Sequence, residues 1–372
     1  MMERWRLLVS DDVGGGEGLA FDEALMAGYA RGAPTRPPTL RLYTYRSHVA
    51  LIGRYQHLEA EVDLDACART GTDVNRRPTG GGAIVMGAGQ LGVAVVTRAP
   101  AAERPKEVLE RYSAGIVAGL AELGIEARFR GKNDLEVGGR KIAGLGLYLD
   151  GNGALLFHSS VLADLDVEFM LEVLQIPAAK LGDTAAPAVR ERVTTVAAET
   201  GEDWAGASLR EQVAVGFAKA LDLELAEEEP EALEVGGADR LVAEKYSTDE
   251  WLHQRSPQKD ATATSVVKTP AGLVRCYVAL SGDTIKSALF TGDFNELPSP
   301  LVRIEEALRW KRLDRGELVS VAARAADGDT GLGVPTDVLI DAVLDAGTRA
   351  VEARGEQAAP LRDGSCYFPE AP

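Results

Sequence analysis

Residues 127–162 read ARFRGKNDLEVGGRKIAGLGLYLDGNGALLFHSSVL. Short runs of alternating apolar and polar residues break at Gly138-Gly139, Asp150-Gly151 and Asn152-Gly153. Such dipeptides supply the positive φ of tight hairpin turns, so the stretch reads as an antiparallel meander. Outward from it the pattern alternates less regularly. Helical spacing marks residues 19–31, 63–70, 106–123 (closed by Gly124), 166–175, 193–200 and 209–221. Strand-like runs fall at 39–46, 49–55, 72–77 and 91–97. Strands that meander beside helices, rather than alternating with them, define an α+β unit.

A second, smaller unit follows. Residues 266–269, 273–280 and 284–291 read as strands, the last two joined across Ser281-Gly282-Asp283, and helices are expected at 300–310 and 338–354. The division expected is a large domain over 1–258, an accessory α+β domain over 259–354 and a tail over 355–372. The aperiodic segment 176–190 reads as a long loop, and the acid-rich segment 222–234 as a solvated face or linker. Residues 241–254 look helical, and no internal repeat is visible.

The chain has 372 residues and a net charge of −17, from 57 acids against 40 bases. That length fits two domains. The charge disfavours nucleic acid and anionic membrane as partners, since both need a basic face. Three cysteines, Cys67, Cys276 and Cys366, make no disulfide framework. No apolar run approaches the ~20 residues of a membrane span, and the N-terminus carries no signal-peptide pattern. The expectation is a cytoplasmic monomer.

Four short segments carry candidate chemistry. In Arg76-Arg77-Pro78-Thr79-Gly80-Gly81-Gly82-Ala83, three glycines let a ligand approach the backbone. The paired arginines beside them could grip phosphate or carboxylate; the alternative is a flexible turn with two solvated arginines. In Gly131-Lys132-Asn133-Asp134-Leu135, the amide and carboxylate could read a nucleoside or hold Mg²⁺, or merely form a turn. Lys141, in Lys141-Ile142-Ala143-Gly144, could place a charge on a developing oxyanion, or snorkel to the surface. Phe157-His158-Ser159-Ser160 holds one of only four histidines, none at zinc spacing with a cysteine or another histidine. Residues 87–92, GAGQLG, match a dinucleotide fingerprint by letter, but a strand pattern follows where a helix is required. Neither a Walker A motif nor a G-x-S-x-G elbow occurs.

In this order the motifs resemble those of the lipoate–protein ligases, within the biotin/lipoate ligase and octanoyltransferase superfamily. The resemblance rests on Ala20, Asp22, Glu23 and Ala24, then Ile52, Gly53, Arg54 and Gln56, then the Arg76–Ala83, Gly131–Leu135 and Lys141–Gly144 motifs. His158–Leu162 and Arg192-Val193-Thr194 complete it, and residues 272–294 look like the accessory domain of these ligases. It implies a mixed central sheet flanked by helices. It also implies ATP-dependent activation of lipoate or octanoate to an acyl-adenylate, then transfer to a lysine of a lipoyl domain. The acceptors implied are 2-oxoacid dehydrogenase E2 or glycine-cleavage H-type proteins. Lys141 would be catalytic. Arg76, Arg77, Thr79, Gly80, Gly81, Gly82, Ala83, Asn133, Gly144 and His158 would bind the acyl-adenylate. Asn133 and Asp134 would meet the nucleotide, with Asp134 on Mg²⁺. The loop 177–192 would fold over the nucleotide.

Met86-Gly87 stands where many members carry a His-Asp pair, Phe157 replaces the first histidine of a common H-H-G-T strand, and Ser159-Ser160 replaces its Gly-Thr. Two rivals follow. An ATP-independent octanoyltransferase needs an activated thiol near the lysine, yet no cysteine lies between Cys67 and Cys276. A non-catalytic binder of acyl groups or lipoyl domains needs no Lys141.

Overall fold

The computed structural model describes residues 2–130, 133–175, 185–261 and 263–357. The chain divides into two compact units: residues 1–54 with 58–254, and residues 255–372 joined by 55–57. Each is α+β.

The first unit is built on an eight-stranded mixed sheet. Its strands are β1 (Glu3–Val13), β2 (Thr39–Tyr45), β6 (Gln90–Arg98), β7 (Arg128–Arg130), β8 (Asp134–Val137), β9 (Arg140–Leu149), β10 (Ala154–Leu162) and β11 (Leu223–Glu227). They run in the order β11-β1-β2-β6-β10-β9-β8-β7. The pairs β11–β1 and β1–β2 are parallel, and the rest are antiparallel. The expected meander is therefore one half of a larger mixed sheet. A separate small sheet, β4-β3-β5, comprises β3 (Val49–Ile52), β4 (Asp73–Arg76) and β5 (Ile84–Met86).

Pleating sends alternate residues to opposite faces. One face carries Leu40, Leu42, Val93, Val95, Leu155 and Phe157, all buried under helices Pro105–Ala121 and Arg210–Leu221. The other carries Tyr43, Tyr45, Ala94, Val96 and Leu156 against helix Gly15–Met26. That helix begins earlier than its apolar spacing suggested and ends sooner. It is locked by Asp22, whose carboxylate accepts from the Arg41 guanidinium at 2.6 Å and from the Tyr43 hydroxyl at 3.2 Å. Both members of the Asp22–Arg41 pair are 1% exposed. Removing one partner strands the other charge out of water, so Asp22→Ala is expected to cost about 3–5 kcal/mol. The urea midpoint measures it, and a loss under about 1 kcal/mol, as for an exposed pair, would refute the reading.

Two expectations are corrected here, those for residues 222–234 and 241–254, and one strand went unread. The N-terminal segment is strand β1, hidden from the pattern because Arg6 takes a core-facing position. The acid-rich segment 222–234 is neither linker nor solvated face throughout. It forms edge strand β11 and opens helix Ala232–Leu241, where buried Glu234 grips Arg6 at 2.7 and 3.1 Å. Residues 241–254 contain a π-turn, Val242–Tyr246, and a short helix, Asp249–Leu252, instead of one continuous helix.

The second unit pairs β12 (Ala263–Thr269), β13 (Gly272–Ser281) and β14 (Thr284–Gly292) as an antiparallel sheet. Helices Ser299–Leu308, Arg315–Ala326 and Thr336–Gln357 cover it, with Val278, Ile285, Phe290, Leu301 and Ile340 in the core. The helix Arg315–Ala326 went unread, although Asp314 caps it by accepting from the Glu317 N–H, a recognisable Asp-x-x-Glu start. The last helix continues through residue 357, past the expected start of the tail; residues 358–372, with Cys366, lie outside the described residues. Among the described residues no helix is long and apolar enough to cross a membrane.

Candidate functional site

The first unit contains a cavity of about 730 Å³, counting its open mouth, lined by residues from both of that unit's sheets. Its floor follows from strand register. Tyr43 of β2 pairs with Gly92 of β6, Gly92 with Ser160 of β10, Ser160 with Gly144 of β9, and Gly144 with Asp134 of β8. The next row on the same face runs Ala94, His158, Gly146. Glycines at these places leave room above the sheet. A Cβ at Gly146 would sit 2.2 Å from His158 Nε2, and one at Gly92 2.5 Å from the Tyr43 ring.

The roof is the triglycine segment. It lies on the end of β3, where a Cβ on Gly53 would stand 2.0 Å from the Gly81 carbonyl oxygen. The Arg54 N–H donates to the Thr79 carbonyl at 2.9 Å, and the Arg77 N–H to the Ile52 carbonyl at 3.0 Å. Gly81 adopts a φ of +91°, which an L side chain rarely takes.

The two arginines do not reach for a ligand as the sequence suggested. Arg76 is wholly buried, and its guanidinium donates to the carbonyls of Gly53, Arg54, Trp251 and Leu252. It ties the last part of this unit to the loop. Arg77 borders the cavity, but its donors go to the carbonyls of Leu51, Gly80 and Gly82 at 2.7–3.0 Å. Burial pulls it down to about 10, so it stays charged at neutral pH and braces the loop from within. Its charge still contributes to the field in the cavity.

Thr79 and His158 meet, with Oγ1 and Nε2 2.8 Å apart. Burial, and secondarily the Arg77 charge, pull the imidazole down to about 3. His158 is therefore neutral at physiological pH and acts as a hydrogen-bonding wall. The unfolded imidazole titrates near 6.5, so between about 6.5 and about 3 the unfolded chain binds a proton that the folded chain refuses. Stability is unaffected above that window and falls as the pH drops through it. His158→Gln is expected to flatten the fall in thermal midpoint between pH 7 and pH 5; equal slopes for both proteins would count against it.

At the mouth, Lys141 Nζ lies 2.7 Å from Asp134 Oδ1, each side chain about a third exposed. A Cβ on Gly144 would come within 3.1 Å of that ammonium, so the glycine clears its path. Asn133 lines the cavity, and its backbone carbonyl accepts from the Leu145 N–H at 2.8 Å. Asp134, expected on Mg²⁺, has its Oδ1 beside Lys141. Among the described residues no three His, Cys, Asp or Glu side chains converge, whereas Asp134 offers a single carboxylate of the kind an ion carried on substrate phosphates takes. Gly131 and Lys132 lie outside the described residues, as do residues 176–184 of the loop expected to cover a nucleotide. Of that loop, Ala185–Arg190 is helical.

Sequence reasoning missed the apolar end of the cavity. Leu19, Tyr43, Tyr45, Leu51, Ile84 and Met86 line it. Met86 is buried, so its position is consistent with filling an apolar channel. A Cβ at Gly87 would press to 2.6 Å from the ring of exposed His48, which would have to turn aside. The G-x-G-x-x-G match leads into strand β6, so no dinucleotide loop forms. Cys67 is buried in helix Leu64–Thr70, and desolvation followed by nearby Asp63 pushes its thiol up.

A cavity apolar at one end and cationic at its mouth, on an α+β scaffold, suits an amphiphilic acid. The model of the lipoyl protein ligase A/B catalytic domain matches residues 15–218, and the chain belongs to that family. Octanoyltransferase LipM of Symbiobacterium thermophilum is 34% identical over 276 residues, which cover 68% of this chain and 98% of that protein. A bipartite lipoate protein ligase from Thermoplasma acidophilum, described with its E2 lipoyl domain, superposes with a TM-score of 0.61 at 30% identity. That match covers 70% of this chain and 99% of the other. A structure of lipoate-protein ligase A bound with ATP gives a TM-score of 0.58 at 29% identity, covering 68% and 99%.

Proposed function

We propose that this chain is an ATP-dependent lipoate–protein ligase acting on a lipoyl-domain lysine in the cytoplasm. The observation that carries the reading is the placement of Lys141 at the mouth of a cavity that has no thiol beside it among the described residues. Octanoyl transfer through a protein thioester needs an accessible thiolate. Activation by ATP needs none.

In the proposed reaction a carboxylate oxygen of lipoate or octanoate attacks the α-phosphorus of ATP, and pyrophosphate leaves. The ε-amine of the acceptor lysine then attacks the acyl carbonyl, the amide forms, AMP leaves and the amine loses a proton. The apolar wall from Leu19 to Met86 holds the acyl tail, and the triglycine roof lets the acyl and phosphate oxygens lie close to backbone. The Lys141 ammonium faces the oxygens on which negative charge grows in both steps. Asn133 and neutral His158 supply hydrogen bonds without adding charge.

A second reading is favoured by the similarity to octanoyltransferase LipM. One experiment separates the two. A purified lipoyl domain is incubated with the full chain and lipoate or octanoate, with and without ATP–Mg²⁺, and separately with an octanoyl thioester lacking ATP. Intact mass reads the product. Acylation only with ATP supports the ligase, and acylation from the thioester alone replaces it with octanoyl transfer. No gain in any arm overturns both.

A further inference from the structure

We infer that Glu199 is a positioning residue for Lys141, acting through the backbone on either side of that lysine. This rests on the reading of Lys141 given above.

Lys141 is the second residue of β9, next to an irregularity in the β8–β9 pairing between Leu135 and Glu136. An interruption of this kind twists the strand and re-aims its side chains. Beyond it Lys141 pairs with Glu136 and Arg140 with Val137, which holds one edge of these residues. A second segment fixes them. The Lys141 N–H donates to the Arg192 carbonyl at 2.8 Å, and the Thr194 N–H donates to the Lys141 carbonyl at 2.8 Å. This makes a one-residue parallel bridge between Lys141 and Val193. A single bridge has little cooperativity of its own, so its register needs a lock.

Glu199 provides it. One carboxylate oxygen accepts from Arg140 Nη2 at 2.7 Å and from the Thr194 hydroxyl at 2.5 Å. Arg140 immediately precedes Lys141, and Thr194 immediately follows the bridge. The carboxylate therefore joins the two strands beside the lysine they present. It is itself placed by helix Val196–Thr200, whose first turn is capped by Thr195 accepting from the Ala198 N–H. The Glu199 side chain is 17% exposed and that of Arg140 42%, so the carboxylate is the more sheltered end of this pair. Glu199 is not among the residues that line the cavity.

The inference predicts a change in the reacting geometry rather than in affinity. In the full chain, Glu199→Gln keeps the shape and loses the charge that holds Arg140. The kcat for acylation is expected to fall about tenfold with the KM for the acid nearly unchanged, as for a misplaced catalytic group. Glu199→Asp should recover part of the loss. Arg140→Met, which removes only the outer partner, should show the same split should Glu199→Gln fold poorly.

A second readout does not depend on turnover. Competitive acetylation by acetic anhydride, read peptide by peptide, compares Lys141 with Lys219 and Lys268 in one digest. The ratio for Lys141 is expected to change by about threefold in Glu199→Gln, because its orientation and neighbours change. An unchanged labelling ratio overturns the proposal, and so does a fall in rate matched by an equal loss of thermal stability. If the wild-type chain acylates nothing, the reading of function fails, and the labelling ratio alone then decides whether Glu199 positions Lys141.

Discussion

Replacing Lys141 by methionine is expected to lower kcat/KM for acylation of a lipoyl domain by about 10²–10³-fold, the usual cost of removing one donor aimed at a developing oxyanion. Methionine keeps most of the apolar stem and removes the ammonium, so packing against Gly144 is little altered. The side chain is about a third exposed and its partner Asp134 equally so, which makes the ion pair a weak contributor to folding. Thermal stability should therefore stay near wild type while activity collapses. Under the reaction proposed above, pyrophosphate exchange and acyl transfer, measured separately, should both suffer, because both of its steps would develop negative charge beside Lys141. Lys141→Arg restores charge but not the compact ammonium and should recover little. A Lys141→Met protein that exchanges pyrophosphate and acylates at the wild-type rate would remove the lysine from the mechanism.

The second large effect is expected at Gly53, which is not among the residues lining the cavity. A methyl group there would stand 2.0 Å from the Gly81 carbonyl oxygen and 3.0 Å from its carbon. Both are backbone atoms, so no side-chain tip can swing aside. In Gly53→Ala the triglycine roof must lift by more than an ångström, against the bonds from Arg54 N–H to Thr79 and from Arg77 to Gly80 and Gly82. Forced overpacking of this kind costs about 1–3 kcal/mol. For a unit of this size that lowers the thermal midpoint by about 2–10 °C. The displaced roof should also weaken binding of the acid by about tenfold or more, since misplacement of one ångström is costly in a preorganised site. Gly151→Ala is the control: no atom lies within 4 Å of its added carbon, and it should behave as wild type. Equal behaviour of the two variants would show that the roof yields freely.

Much of the scaffold was legible because its signals are local. The turns at Gly138-Gly139 and Asn152-Gly153 declare themselves by residues that alone take positive φ easily. The helices around them show through apolar spacing. Strand β1 and edge strand β11 were hidden for one reason. Each pairs with residues more than 200 positions away, and Arg6 and Glu234 enter the interior only because they find one another there. A buried ion pair looks, in either half alone, like two surface residues.

The candidate site divides along the same line. The sequence by itself determined that a triglycine segment, a lysine among glycines and a histidine strand occur, with no thiol between Cys67 and Cys276. Those are statements about which chemistry the chain possesses. Only the tertiary structure decided what each group does with it. It turned Arg76 and Arg77 inward to brace the loop, set Asp134 beside Lys141, and gathered Leu19, Leu51 and Met86 into one apolar wall. The physical reason is that a long side chain can satisfy its donors in several directions. Which direction wins depends on carbonyls and charges brought near by distant parts of the chain, and no local pattern records them.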